Sequence, residues 1–187
     1  MASTLLMMAM HQDVQEKVMN EIRDVFDTVN QEVDNANLNN LSYLEQVIKE
    51  TMRLFPVLPI TGRLATKDVV LNTCTIPAGS NILIIMFNTH RNPKYWGDDA
   101  HLFRPDRFHP ENISKVHPYA YGPFSGGHRI CIGMKYAMNV MKVILTHFLR
   151  NYKVSTSLKY EELEFKIEVS MKIVQHYMMK IEKRQFN

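Results

Sequence analysis

Phe124-Ser125-Gly126-Gly127-His128-Arg129-Ile130-Cys131-Ile132-Gly133 decides more about this chain than any other stretch. One cysteine stands between two glycine sites, two residues after an arginine and just ahead of the amphipathic run Met134–Leu149. A cysteine so placed can offer one thiolate to a metal. Glycine lets the backbone approach a flat ligand closely. The start of the following helix brings N–H groups and a positive dipole end that stabilise a sulfur anion. The arginine can pair with an acidic group on the same ligand. The plainer reading of these residues is a buried structural cysteine beside a glycine turn.

Upstream of this loop the periodicity is helical, then strand-like, then lost. Met1–His11 reads as the end of a buried helix. Asp13–Phe26 places Val14, Val18, Ile22 and Val25 on one stripe. Asp27–Asn40 is polar and Asn-rich, a loop with a short turn. Ser42 opens a helix with Glu45 three residues on, a capping-box spacing, and the helix stops at Leu54, before Pro56. From Val57 to Phe87 the signals are short strands, with Pro77-Ala78-Gly79 as a turn. The coil His90–Tyr121 holds Pro93, Pro105, Pro110 and Pro118, with Pro123 beyond, and implies an ordered loop with short helical turns. Met134–Leu149 predicts a helix, and Tyr152–Glu182 alternates as strands do. The fold class expected is α+β, mostly α.

Composition excludes several functions. The chain has 187 residues, 45% hydrophobic and 22% charged, as globular domains do. A net charge of +3 is too mild for nucleic acid binding. Cys74 and Cys131 make no disulfide framework, which fits a reducing compartment. The Met-rich start lacks the basic flank and cleavage site of a signal peptide. No apolar run reaches the roughly 18 residues of a membrane span.

A haem iron held by a cysteine thiolate meets all the requirements of the glycine-flanked loop. The segment resembles the haem-binding loop of the cytochrome P-450 superfamily, F-x-x-G-x-R-x-C-x-G, with Phe124, Gly127, Arg129, Cys131 and Gly133 at its fixed positions. Two further elements are similar to the family's and stand in its order. Glu50 and Arg53 share a helix face and fill E-x-x-R, while Pro105-Asp106-Arg107-Phe108 fills P-x-R-F. The resemblance implies that Glu50, Arg53 and Arg107 form a structural cluster behind the haem. Outside such a context an E-x-x-R pair is an ordinary solvated ion pair. The local wording is most similar to animal, insect-type family-4 members.

The resemblance implies Cys131 as the axial ligand of haem b, and Phe124, Gly127, Arg129 and Gly133 as residues around that cofactor. It implies hydroxylation of a hydrophobic small molecule, fatty-acid-like or xenobiotic, using O2 and electrons from a flavoprotein NADPH reductase at the cytosolic face of the endoplasmic reticulum membrane. Val57, Leu58, Pro59, Ile60 and His176 are its candidate pocket residues, although core packing explains the apolar ones equally well and an exposed turn explains His176. Arg63 is a second candidate partner of the haem propionates. Tyr95 and Trp96 are expected to pack under the coil. Lys115, His128, Lys135 and Lys142 are candidates for a surface that receives an acidic electron donor. The likeness covers nearly all of residues 1–187 but only the C-terminal part of a family member, so the expectation is a partial single domain lacking its N-terminal portion and oxygen-activating motif. The alternatives left open are a non-catalytic truncated fragment, haem-binding or inert, and a metal site built on His128 and Cys131.

Overall fold

The computed structural model describes residues 1–185. Its main core is built chiefly by the apolar faces of five helices, four of them in the first 54 residues. α1 (Ala2–Met10) buries Leu6, Met7 and Met8 completely. α2 (Gln12–Val25) contributes Val14, Val18, Met19 and Ile22. α3 (Asn35–Asn40) is a short helix capped by Asp34 and anchored by Leu38. α4 (Ser42–Leu54) turns Leu44, Val47, Ile48 and Leu54 inward. Each such side chain contributes about 1.5–3 kcal/mol on burial.

The start of α4 differs from the capping box read in the sequence. Leu41 is the N-cap, and the carboxylate of Glu21, reaching across from α2, accepts from Ser42 Oγ, Tyr43 N and Leu44 N at 3.1, 2.6 and 2.8 Å. A carboxylate at the positive end of the helix satisfies two orphan donors at once. Glu45 is left to pair with Lys49 and Lys142.

β1 (Ile60–Leu64) and β4 (Asn81–Ile85) form an antiparallel pair with Ile60 opposite Ile85. β2 (Val69–Val70) and β3 (Thr75–Ile76) make a small hairpin of their own between them. The Pro77–Gly79 turn is present, with Gly79 at φ +83°, but it returns the chain to β1 and not to the strand just before it. The coil is punctuated by α5 (Met86–Thr89), α6 (Pro93–Trp96), a 3-10 turn at Pro105–Phe108, α7 (Pro110–Ile113) and a 3-10 turn at Pro118–Ala120. Proline opens four of these five pieces, where its missing N–H costs nothing. They enclose a second core of Trp96, Ala100, Phe108 and Ala120.

α8 (Met134–Asn151) joins the main core through Leu145 and Leu149 and leads into β5 (Tyr152–Ser155). β6 (Phe165–Ile167) pairs with β7 (Met171–Ile173), and β5 pairs with β8 (Lys180–Lys183). Gln15 of α2 mimics a further strand, its amide exchanging hydrogen bonds of 2.8 and 3.0 Å with the C=O and N–H of Val154. The fold class is α+β and mostly helical, as the sequence implies.

Candidate functional site

The loop from Gly122 to Gly133 is held by backbone bonds and has no core of its own. Ser125 N–H donates to Gly122 C=O, Ile130 N–H to Gly127 C=O, and Cys131 N–H to Phe124 C=O, the last at 2.9 Å. Ser125 and Gly127 both adopt positive φ, +65° and +66°. At Gly127 any side chain would be strained although space is open around it. Ser125 tolerates the same region while its Oγ accepts from Arg63 of β1 at 3.0 Å. Gly133 is the N-cap of α8, and a methyl group there would stand 3.8 Å from Cys131 Sγ. The glycine keeps that side of the sulfur clear.

Cys131 is a free, exposed thiol, not the buried structural cysteine of the plainer reading. Ile132 beside it is fully exposed, and Ile130 and Arg129 also face solvent. Phe124 is half-buried. The loop thus presents a thiol, apolar side chains and a cation on one short exposed segment. Residues 112–160 contain no Asp or Glu, so the loop and the helix after it bring no carboxylate of their own to the sulfur. This donor set fits a flat apolar macrocycle with acidic edge groups and one metal coordination position. Among the described residues no group of three or more His, Cys, Asp or Glu side chains could hold a metal ion, so the His128–Cys131 pair gains no further ligand.

Behind the loop lies a buried ionic cluster. Glu50 and Arg53 are fully buried and form a bidentate pair, with Arg53 Nε and Nη2 donating to the carboxylate at 2.7 and 2.8 Å. Arg53 also donates to the carbonyls of His90, Ala100 and Leu102. Glu50 accepts from the backbone N–H of Arg104 at 2.8 Å and stands 3.6 Å from Arg107 Nε. Arg107 in turn pairs with Asp99 at 2.6 Å and donates to the carbonyls of Trp96 and Asp99. Glu50, Arg53 and Arg107 therefore meet in space. Hydrogen bonds from Arg107 and Arg104 push the Asp99 carboxyl down to about 2. Trp96 packs under this cluster with the Arg53 guanidinium 5.1 Å from its ring centre, and Tyr95 packs at its margin.

Sequence reasoning missed the residues that join the cluster to the loop. His90 is fully buried, and its Nε2 accepts from Gly122 N–H at 3.0 Å. Tyr121 donates its hydroxyl proton to Lys49 C=O at 3.0 Å. Asp99 is a fourth charged member. All lie in or beside the proline-rich coil, where no periodicity marks a buried position.

Val57, Leu58 and Ile60 are exposed and Pro59 is buried. Val57 C=O accepts from Met171 N–H at 3.0 Å, which brings the β6–β7 hairpin alongside. A cleft of about 290 Å³ there is lined by Phe55, Val57, Met171, Ile173 and Tyr177, among others. His176 is not among its lining residues; it stands exposed at φ +58° in the turn after β7, with Tyr177 facing the cleft in its place. Arg63 is engaged with Thr61, Gly62 C=O and Ser125. Of the cations expected at the docking surface, Lys115, His128 and Lys135 are exposed. Lys142 is not: it is buried between Glu45 Oε2 at 2.6 Å and Leu38 C=O at 3.0 Å. Lys142 sits three residues before Leu145 and seven before Leu149, on the apolar stripe of α8, which draws it inward.

The family profile described as Cytochrome P450 matches residues 1–180. The chain is 46% identical to a probable cytochrome P450 313a1 of Drosophila melanogaster over 96% of its own length and 37% of that protein's. It is 40% identical to cytochrome P450 4p1 of the same organism, over 96% of the chain and 35% of the relative. The chain spans little more than a third of the proteins it matches.

Proposed function

This chain belongs to the cytochrome P450 family, and on that footing we propose that it forms the C-terminal portion of a haem-dependent monooxygenase domain in which Cys131 would supply a thiolate ligand to the iron. The observation that carries the reading is a free, exposed thiol on a carboxylate-free loop, backed by the buried Glu50–Arg53–Arg107 cluster. When bound, haem b would supply the oxygen chemistry, the insertion of one oxygen atom of O2 into a substrate C–H bond while the other leaves as water, with two electrons and two protons delivered from outside.

This chain's residues would bind and orient. Cys131 gives the sulfur, and Gly133 leaves room beside it. Gly127 permits the loop's reversal, Phe124 would offer the macrocycle an apolar contact, and Arg129 would pair with a propionate. Glu50, Arg53 and Arg107 fix α4 against the coil, so that the loop rests on a rigid base. Exposed Val57, Leu58 and Ile60 suit a hydrophobic small molecule, fatty-acid-like or xenobiotic, with Pro59 stiffening their backbone. Exposed Lys115, His128 and Lys135 suit an acidic docking face, in our reading that of a flavoprotein NADPH reductase. The site of action is the cytosolic face of the endoplasmic reticulum; among the described residues no helix is long and apolar enough to cross a membrane.

The test is haem reconstitution of the chain and of its Cys131→Ser and Cys74→Ser variants, read as the carbon monoxide spectrum after reduction. A thiolate-type Soret band that survives Cys74→Ser and vanishes in Cys131→Ser is expected. Persistence of that band in Cys131→Ser, an imidazole-type band in the unaltered chain, or no uptake of haem would overturn the assignment.

A further inference from the structure

The cysteine loop is closed on itself by backbone bonds, so its place in the molecule must be fixed from outside. Its N-terminal end is tied by Tyr121 to Lys49 C=O, by Arg63 to Ser125 Oγ, and by one side chain that takes a backbone N–H of the loop itself. His90, buried without exposed surface at the end of α5, accepts the Gly122 N–H through Nε2 at 3.0 Å. The same residue's carbonyl accepts from Arg53 Nη1 at 2.7 Å, and the Tyr121 ring lies 5.4 Å from the imidazole. The next residue, Arg91, donates to Leu54 C=O, the last carbonyl of α4 before the Val57–Ile60 segment. The dipeptide thus touches the ionic cluster, the cysteine loop and the entry to the candidate pocket.

We propose that His90 is a positioning residue for the Cys131 loop, acting through Gly122 and transmitting the rigidity of the Glu50–Arg53 cluster to the thiol-bearing segment. The geometry fixes one tautomer. Because Nε2 accepts from Gly122, the neutral ring carries its proton on Nδ1, which is buried and has no hydrogen-bond partner among the described residues. Protonation would place two N–H donors face to face and break the contact. The charged neighbours are set against it: the Arg53 and Arg91 cations both disfavour a charged imidazole. Burial pushes the imidazole down to about 4, so the accepting form persists at neutral pH. An amide such as glutamine can place an acceptor oxygen where Nε2 stands; phenylalanine fills the space and accepts nothing.

The proposal rests on the monooxygenase reading only for the purpose of the loop, not for its geometry, and its test needs no haem. Amide hydrogen exchange of the chain would be compared with that of His90→Phe and His90→Gln, together with the alkylation rate of Cys131 relative to Cys74, which lies at the remote β2–β3 turn and serves as reference. In His90→Phe, protection at Gly122 and Cys131 should fall about tenfold, the worth of one buried hydrogen bond, and the Cys131:Cys74 ratio should change by a similar factor. His90→Gln should restore most of both. Should His90→Phe fail to fold, His90→Gln together with the ¹⁵N spectrum of the His90 ring still decides the matter, since Nε2 must read as unprotonated and Nδ1 as protonated. Unchanged protection at Gly122, a Gln variant no better than Phe, or the opposite tautomer overturns the proposal. If the loop responds as expected while Cys131→Ser keeps a thiolate spectrum, the positioning role stands and the haem assignment falls.

Discussion

Replacing Arg53 with methionine keeps a long side chain and removes every donor. The Glu50 carboxylate, fully buried, would lose bonds of 2.7 and 2.8 Å and keep only the Arg104 N–H and the 3.6 Å contact with Arg107. The carbonyls of His90, Ala100 and Leu102 would lose donors at 2.7, 2.7 and 3.0 Å. Breaking a buried ion pair from one side costs about 3–5 kcal/mol, and each stranded carbonyl adds about 1 kcal/mol. The sum, about 6–8 kcal/mol, is comparable to the whole stability of an ordinary domain. At roughly 2–4 °C per kcal/mol for this size, Tm should fall by at least about 12 °C, with partial unfolding already at room temperature. The double variant Glu50→Gln, Arg53→Met removes the charge along with its partner and should recover about 2–3 kcal/mol. Arg53→Lys retains charge without the planar fork and should fall between the two. Thermal and urea unfolding followed by circular dichroism measures all three. An Arg53→Met chain within about 1 kcal/mol of the parent, or strict additivity in the double variant, would refute the cluster as the base of the fold.

Three further outcomes follow from contacts elsewhere. His90 titrates near 4 in the folded chain against an ordinary 6.5, so its stabilisation is complete above about pH 6.5 and is lost as pH falls toward 4, by about 3 kcal/mol in the limit. Urea unfolding at several pH values should show a steeper acid loss for the parent than for His90→Gln, and parallel curves would disprove the shift. Lys142→Ala should cost about 1–3 kcal/mol because Glu45 and Leu38 C=O lose a buried partner, whereas Lys135→Ala should change stability by less than about 0.5 kcal/mol; equal effects in unfolding titrations would contradict the burial of Lys142. Glu21→Ala should destabilise by about 1–2 kcal/mol as a lost helix cap, more than Ser42→Ala, and the reverse order would restore the capping box.

The parts legible in the sequence were those with a period or a spacing. The stripes of α2, α4 and α8 gave their helices, and E-x-x-R with P-x-R-F brought Glu50, Arg53 and Arg107 to one place before any coordinate. Strand pairing was not legible, because β1 meets β4 across the intervening β2–β3 hairpin and no local signal specifies a partner so far along the chain. The Glu21 cap was hidden for a related reason: a side chain from another helix competed with the local Ser42 and Glu45. Lys142 could have been read correctly, since its spacing to Leu145 and Leu149 puts it on the buried stripe. The family resemblance placed it with Lys135 on a docking face, but the Glu45 carboxylate makes its burial tolerable.

His90 belongs to a different class, and it shows how the site is divided. The residues facing outward, Cys131, Arg129 and Ile132, sit on a loop that closes on itself through backbone bonds but has no core of its own to fix its place. The residues that hold it, Glu50, Arg53, His90 and Trp96, are buried and face away from solvent. A motif search finds the first group because its chemistry is local and dense. The second group is assembled from α4, α5 and the coil by folding, and one member, His90, makes its contact through a backbone N–H, a partner that leaves no trace in side-chain patterns. Changes in the buried group should therefore alter how the thiol is presented without altering any atom that a ligand touches.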